Sequence, residues 1–165
     1  MFASSFIVNP MPKEEISIFD FEEFSFGRKF NLLGRLYLSL LAKKLKHLGL
    51  ERHFSVLILI SEMGDNCCQK FIADTLHIDK TMMVGVLDDL SKKGFIKRTQ
   101  NPKDRREYWI QLTVKGKKSI PEIQSVISEQ NKYIMRGLTK PEVKRFHGQL
   151  EVIYKNLKTI SKSYS

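Results

Sequence analysis

Cysteine is scarce in this chain: two in 165 residues, side by side at Cys67 and Cys68. An adjacent pair provides no disulfide framework, so a reducing, cytoplasmic compartment is the simplest expectation. Cys-Cys adjacency is not zinc-ligand spacing either, and His47, His53, His77 and His147 are scattered, so no metal is expected. No apolar run reaches the ~18 to 20 residues that span a bilayer, which leaves no membrane role. The apolar start, Met1 to Val8, lacks a basic region and runs into Asn9-Pro10, a poor signal peptide. Glycine-rich phosphate loops, a nucleophile elbow and carboxylates paired at a recognisable spacing are all missing. Enzyme chemistry and a cofactor are therefore not expected.

What is abundant is positive charge, and it is unevenly placed. The formal charge is +10. From Ser91 to Ile120, ten Lys/Arg face only Asp104 and Glu107, whereas from Met1 to Phe30 three basic residues face five acidic ones. A confined cationic patch is the footprint of a phosphate-binding face, with a merely solvated charge run as the alternative.

The patch coincides with a local pattern. Two β-type runs, Phe95 to Thr99 and Tyr108 to Thr113, flank a tip of Asn101, Pro102, Lys103, Asp104, Arg105 and Arg106. Such runs around an Asn-Pro turn predict an antiparallel hairpin. Before it, Asp79 to Lys93 has helical periodicity: Met83, Val86, Leu87 and Leu90 share one face, opposite Thr81, Gly85 and Asp88, with Met82 and Val84 at the margin. Asp79 suits an N-cap, Gly94 closes the helix, and Asp88–Lys92 and Asp89–Lys93 are favourable i,i+4 pairs. A shorter helix, Cys68 to Leu76, precedes it. Helix, helix, basic hairpin reads as a winged helix-turn-helix whose default partner is double-stranded DNA. A winged-helix module that contacts an acidic protein is the rival reading.

Around this core the chain reads as helical. A first helix runs from Phe26 to Leu48 with Phe30, Leu33, Tyr37, Leu40 and Leu41 at helical spacing, and Gly49 stops it. A second, Glu51 to Met63, is apolar nearly throughout and should be buried. Thr113 caps a fifth helix reaching Arg136, in which Ser119-x-x-Glu122 and Pro121 predict a kink or restart. Thr139-x-x-Glu142 opens a sixth, whose stripe Val143, Phe146, Leu150, Ile153, Leu157, Ile160 is a heptad seam for a partner helix or for its own domain. The fold class is mainly α with a small hairpin wing. Segments 1–48 and 114–165 form a helical dimerisation region around a DNA-binding domain at 49–113, and long helices at both ends favour a homodimer.

The segment Cys68 to Lys118 resembles the multiple-antibiotic-resistance regulator (MarR) family. The resemblance rests on Ala73, Ile78-Asp79-Lys80-Thr81, Leu90-x-x-Lys93-Gly94-Phe95-Ile96-x-Arg98, Asn101-Pro102-x-Asp104-Arg105-Arg106 and Leu112-Thr113-x-x-Gly116. It implies a dimer of interlocking first, fifth and sixth helices, two winged domains on a pseudo-palindromic operator, transcriptional control (repression before activation), and a small-molecule effector. By the same resemblance Arg106 enters the minor groove, oriented by Asp104, which is otherwise a simple turn residue. Lys103 and Arg105 then serve phosphates, and Arg98 joins the DNA-facing set.

The start of the fourth helix is expected in the major groove through Lys80, Thr81, Met82, Val84 and Gly85, with Met82 and Val84 suited to thymine methyls. So apolar a face leaves much of the readout to DNA shape. Gln69 and Lys70, at a helix start, are expected phosphate contacts. Phe30, Tyr37, His53 and Phe54 are candidates for an effector pocket or for plain core. Cys67 and Cys68 are an inert buried pair or, with Cys68 at a helix start, a redox sensor.

Overall fold

In a computed structural model, residues 21–50, 53–64, 67–101 and 107–163 are described. They fall into two units, divided inside the first helix between Leu40 and Leu41. The elements are α1 Phe26–Lys44, α2 Phe54–Met63, β1 Cys67–Cys68, α3 Gln69–Leu76, α4 Lys80–Lys92, β2 Ile96–Gln100, β3 Tyr108–Leu112, α5 Val114–Ile134 and α6 Lys140–Ser163.

In the first unit, a 3-10 turn at Phe21–Glu23 precedes α1. Aromatic faces organise it: the Arg28 guanidinium lies 3.8 Å from the Phe24 ring, and Lys29 Nζ donates to the Glu22 carbonyl (2.9 Å) beside the Phe21 ring. Phe26 and Phe30 stack one turn apart.

The second unit carries the core. In its opening stretch Leu41, Leu45 and Leu50 are buried, and the chain turns there through a 3-10 segment, Lys46–Leu48. The regular helix thus ends at Lys44, earlier than its periodicity predicts, because Leu45 leaves helical geometry (ψ 11°) and Gly49 takes the left-handed conformation (φ 67°). Lys44 and His47 then reach α5, at Glu129 (3.2 Å) and Glu122 (2.6 Å). α2 is apolar and buried as expected, through Phe54, Val56, Leu57, Leu59 and Ile60; the two residues before His53 lie outside the described ones.

Three strands form the sheet, in the order β1-β3-β2, all antiparallel. The hairpin is the expected one, with its first strand shifted by one residue and its second ending one residue earlier. β1 is a correction: Cys68 is extended (ψ 157°) and pairs with Trp109 while Cys67 pairs with Ile110, so α3 starts at Gln69. Edge pairing claims the backbone that a helix start at Cys68 would need.

A second correction concerns Pro121. α5 runs through it without a restart. The ring faces solvent while Ser119, Ile120 and Ile123 are buried beside it, and α5 packs on α2. The Ser119 hydroxyl donates to the Gly116 carbonyl (2.7 Å), and Glu122 is engaged by His47, so neither residue forms the capping box its spacing predicts. Packing here outweighs the lost backbone hydrogen bond. At Thr139 the reach-back half of the box forms: its N–H and its hydroxyl both donate to Glu142 Oε2 at 2.7 Å. α6 has no fully buried residue: along its seam Val143, Leu150 and Ile153 are half-buried and Phe146, Leu157 and Ile160 exposed in a single chain.

At the root of the hairpin a Cβ on Gly116 would lie 2.2 Å from the Phe95 carbonyl oxygen, whereas one on Gly85 meets nothing within 4 Å. Gly116→Ala should therefore destabilise by about 1–3 kcal/mol. Gly85→Ala, in a helix with room to spare, should gain about 0.5–1 kcal/mol. Urea denaturation of the two variants checks the pair; a Gly116→Ala midpoint equal to the parent would show that the junction is slack.

Candidate nucleic-acid interface

α4 presents two faces. Met83, Leu87 and Leu90 are fully buried and anchor the helix, which leaves Lys80, Thr81, Met82, Val84 and Gly85 exposed, with Met82 66% accessible. Asp79 caps this end, its Oδ1 accepting from the N–H groups of Thr81 (2.8 Å) and Met82 (3.2 Å). Those bonds, Met82's foremost and then Thr81's, hold the Asp79 carboxyl below the usual carboxylate range. The turn into α4 is set by His77, which closes α3 in the left-handed region (φ 50°).

The hairpin leans on the other end of this helix. Arg98 on β2 meets Asp88 on α4 at 2.7 Å, so Asp88 reaches across to the wing rather than being confined to its own helix. Asp89 takes the predicted Lys93 (2.7 Å) and also faces His53 across to α2 (3.7 Å). Along β2 and β3, the pairs Ile96–Leu112, Arg98–Ile110 and Gln100–Tyr108 share one face of the ribbon. That face passes from buried at Ile96 and Leu112 to exposed at Tyr108. Asn101 closes the end of the ladder: its N–H donates to the Glu107 carbonyl (2.9 Å) and its Nδ2 to Glu107 Oε2 (2.8 Å). Lys103, Asp104, Arg105 and Arg106 lie outside the described residues.

One open groove of about 530 Å³ joins these elements, lined by Gln69 and Lys70 from α3, Val84 from α4, and Arg98, Glu107 and Tyr108 from the wing. Four residues predicted to face DNA thus meet there, and Lys80, Thr81, Met82 and Gly85 stand on the exposed face of α4 beside Val84. Glu107 and Tyr108 were not anticipated. The period-2 alternation of Tyr108, Ile110 and Leu112 was the signal, since it puts Tyr108 on the ribbon face that ends in the groove.

The remaining candidates are distributed over both units. Phe30 and Tyr37 stand on α1 in the first unit, where burial pushes the Tyr37 phenol up; His53 and buried Phe54 open α2 in the second. Cys67 is buried and Cys68 half-buried at the rim of the groove, both free thiols. Burial, and then the neighbouring Cys68, push the Cys67 thiol up and disfavour its thiolate. Among the described residues no group of three or more His, Cys, Asp and Glu is placed to hold a metal, and no helix is long and apolar enough to cross a membrane.

A helix pair whose second member exposes its N-terminal face, followed by a hairpin braced on that helix, defines a winged helix-turn-helix. Residues 51–108 match the model of the MarR family. It is similar to a MarR transcriptional regulator from Methanosarcina mazei Go1 (27% identity over 81% of this chain and 96% of that one, TM-score 0.77). The fold is shared with the transcriptional regulator SlyA (23% identity, 86% and 100% covered, TM-score 0.80). It is shared also with a MarR-family regulator from Listeria monocytogenes complexed with a 26mer DNA (24% identity, 81% and 89% covered, TM-score 0.76).

The Asp79 cap gives a pH signature. A carboxyl whose folded-state pKa is depressed adds stability above its unfolded value and loses it as pH falls through the folded one. Amide protection of Thr81 and Met82 should therefore hold through mildly acidic pH and fall only below the ordinary aspartate range. Hydrogen exchange followed by NMR reads this. Protection already failing near neutrality, or unchanged in Asp79→Ala, would contradict the cap.

Proposed function

We propose that this protein is a sequence-specific regulator of transcription that binds double-stranded DNA as a homodimer and acts as a repressor. The observation that carries the reading is the groove in which Gln69, Lys70 and Arg98 flank the exposed start of α4. A helix of that width fits a major groove, with its N-terminal residues on base edges. Lys80 and Thr81 supply polar contacts, and Met82 and Val84 meet thymine methyls. Gly85, with open space around it, lets the backbone approach closely. Lys70 and the helix start of α3 serve the sugar-phosphate chain.

The wing extends this to the neighbouring minor groove, with Arg106 inserted, Asp104 orienting it, and Lys103 and Arg105 on phosphates. So little bidentate chemistry on α4 leaves DNA shape to carry part of the specificity. The Listeria relative's complex with DNA supports the partner class. A homodimer is supported by bare apolar surface: Phe26, Leu33, Leu36 and Leu40 on α1, and Phe146, Tyr154, Leu157 and Ile160 on α6, are all exposed in one chain. In this reading segments 1–48 and 114–165 join the two copies around reading domains at 49–113. The protein works in the cytoplasm, and a small-molecule effector adjusts its DNA affinity.

Duplex affinity should fall with salt at a log–log slope near −0.9 per phosphate contacted, and operator should be preferred to random duplex by ~10³-fold or more. Arg106→Ala should cost about 1–3 kcal/mol of operator binding and leave the dimer intact. Fluorescence anisotropy titrations measure all three. Equal affinity for heparin and duplex would instead favour a general polyanion binder. Truncation before Thr139 should yield a monomer or an insoluble chain, and a well-behaved truncated dimer in sedimentation would take α6 out of the interface.

A further inference from the structure

At the corner where α5 gives way to α6, an open groove of about 530 Å³ has an apolar floor of Met135, Leu138 and Val143 and a cationic rim of Lys132, Lys140 and Lys144. The Thr139–Glu142 capping box fixes the corner, and Gly137 turns it in the left-handed region (φ 89°). The nearby carboxylates are engaged elsewhere: Glu142 by Thr139, Glu129 by Lys44, Glu151 by Lys155. Among the described residues no acidic group pairs with the three lysines, and Lys140 and Lys144 form a like-charge i,i+4 pair that a helix carries at a cost. Leu138 is 46% exposed on the floor between them. A surface of this kind suits an extended partner that brings several negative charges and apolar rings together.

The chain contains such a sequence. Residues 14–26 hold five acidic residues, no lysine or arginine, and four phenylalanines. The described end of this stretch exposes Glu22, Glu23, Phe21 and Phe26, the last at 75%. Phe21 and Phe26 of the segment and Leu138 of the groove are exposed in a single copy, and both belong to the helical ends that the homodimer reading joins. We propose that the acidic, phenylalanine-rich segment ending at Phe26 of one copy seats on the Lys132–Lys140–Lys144 groove of a second copy, as a cross-subunit latch. The latch rests on that homodimer reading and adds to it which segment crosses and where it lands. Charge complementarity selects the occupant: the acidic stretch answers the lysine rim, and its rings answer Met135, Leu138 and Val143. An open, one-sided groove suits a peptide better than a small anion, which needs enclosure.

The test uses the full chain in isotopically heavy and light forms, mixed until native mass spectrometry shows mixed dimers. Zero-length carbodiimide coupling should then give heavy–light peptides joining the acidic segment to Lys132, Lys140 or Lys144. In sedimentation, Glu22→Lys/Glu23→Lys alone and Lys140→Glu/Lys144→Glu alone should each weaken the dimer about tenfold, and the four changes together should restore it to within about threefold. A glutamate at position 140 suits a helix start, so loss of folding does not account for the weakening. A dimer that gives only single-label cross-links, or four changes that add without rescue, overturns the latch and leaves the dimer standing. A monomer at all concentrations overturns the homodimer reading and the latch with it.

Discussion

The carbonyl of Phe95 is the point on which the reading head hangs. It accepts the Thr113 N–H (3.0 Å) and, more weakly, the Thr113 hydroxyl (3.2 Å), while the same hydroxyl donates to the Gly94 carbonyl at 2.6 Å. Gly116 passes so close that no side chain fits between. Lys115 closes the junction from outside, donating to the Lys93 carbonyl (2.7 Å) with its ammonium 4.2 Å from the Phe95 ring centre. Four elements converge here: the end of α4, the start of β2, the end of β3 and the start of α5. Fixing one root therefore fixes the angle between recognition helix and wing, and ties both to the long helix that leaves the domain.

From that root the hairpin reaches outward along α4, and the Asp88–Arg98 pair braces it partway. Both side chains are partly exposed, so the pair contributes little to global stability. Its value is orientation, since it holds Arg98 where α3, α4 and the wing share a groove. In the proposed complex, the surface kept rigid by Met83, Leu87 and Leu90 presents Met82 and Val84 at a defined position, as contact with base methyls would require.

The order of helices, the Asp79 cap, the Gly94 stop and the Thr113 cap were legible because each follows from a local rule that packing did not oppose. Three features were not. β1 is two residues long, too short for any alternation to register, and exists only because Cys67 and Cys68 lie beside β3. Pro121 obeyed its neighbours instead of its own preference, because buried Ile120 and Ile123 hold the helix through it. Arg98 found Asp88 across the structure, an interaction that sequence spacing does not encode. The groove followed the same division: Gln69, Lys70, Val84 and Arg98 came from motif and periodicity, whereas Glu107 and Tyr108 needed the register of the ribbon. The wing-tip residues, Lys103 to Arg106, rest on motif alone.

In the proposed dimer two such heads, held by one helical scaffold, read consecutive turns of the same duplex. Hydroxyl-radical footprinting of the intact protein on DNA flanking its own coding region tests it most directly. The predicted result is a two-fold symmetric pattern, with the two halves centred about 10 base pairs apart and protected minor-groove sugars at each outer edge. A single unsymmetrical patch, or uniform protection without sequence preference, would contradict it.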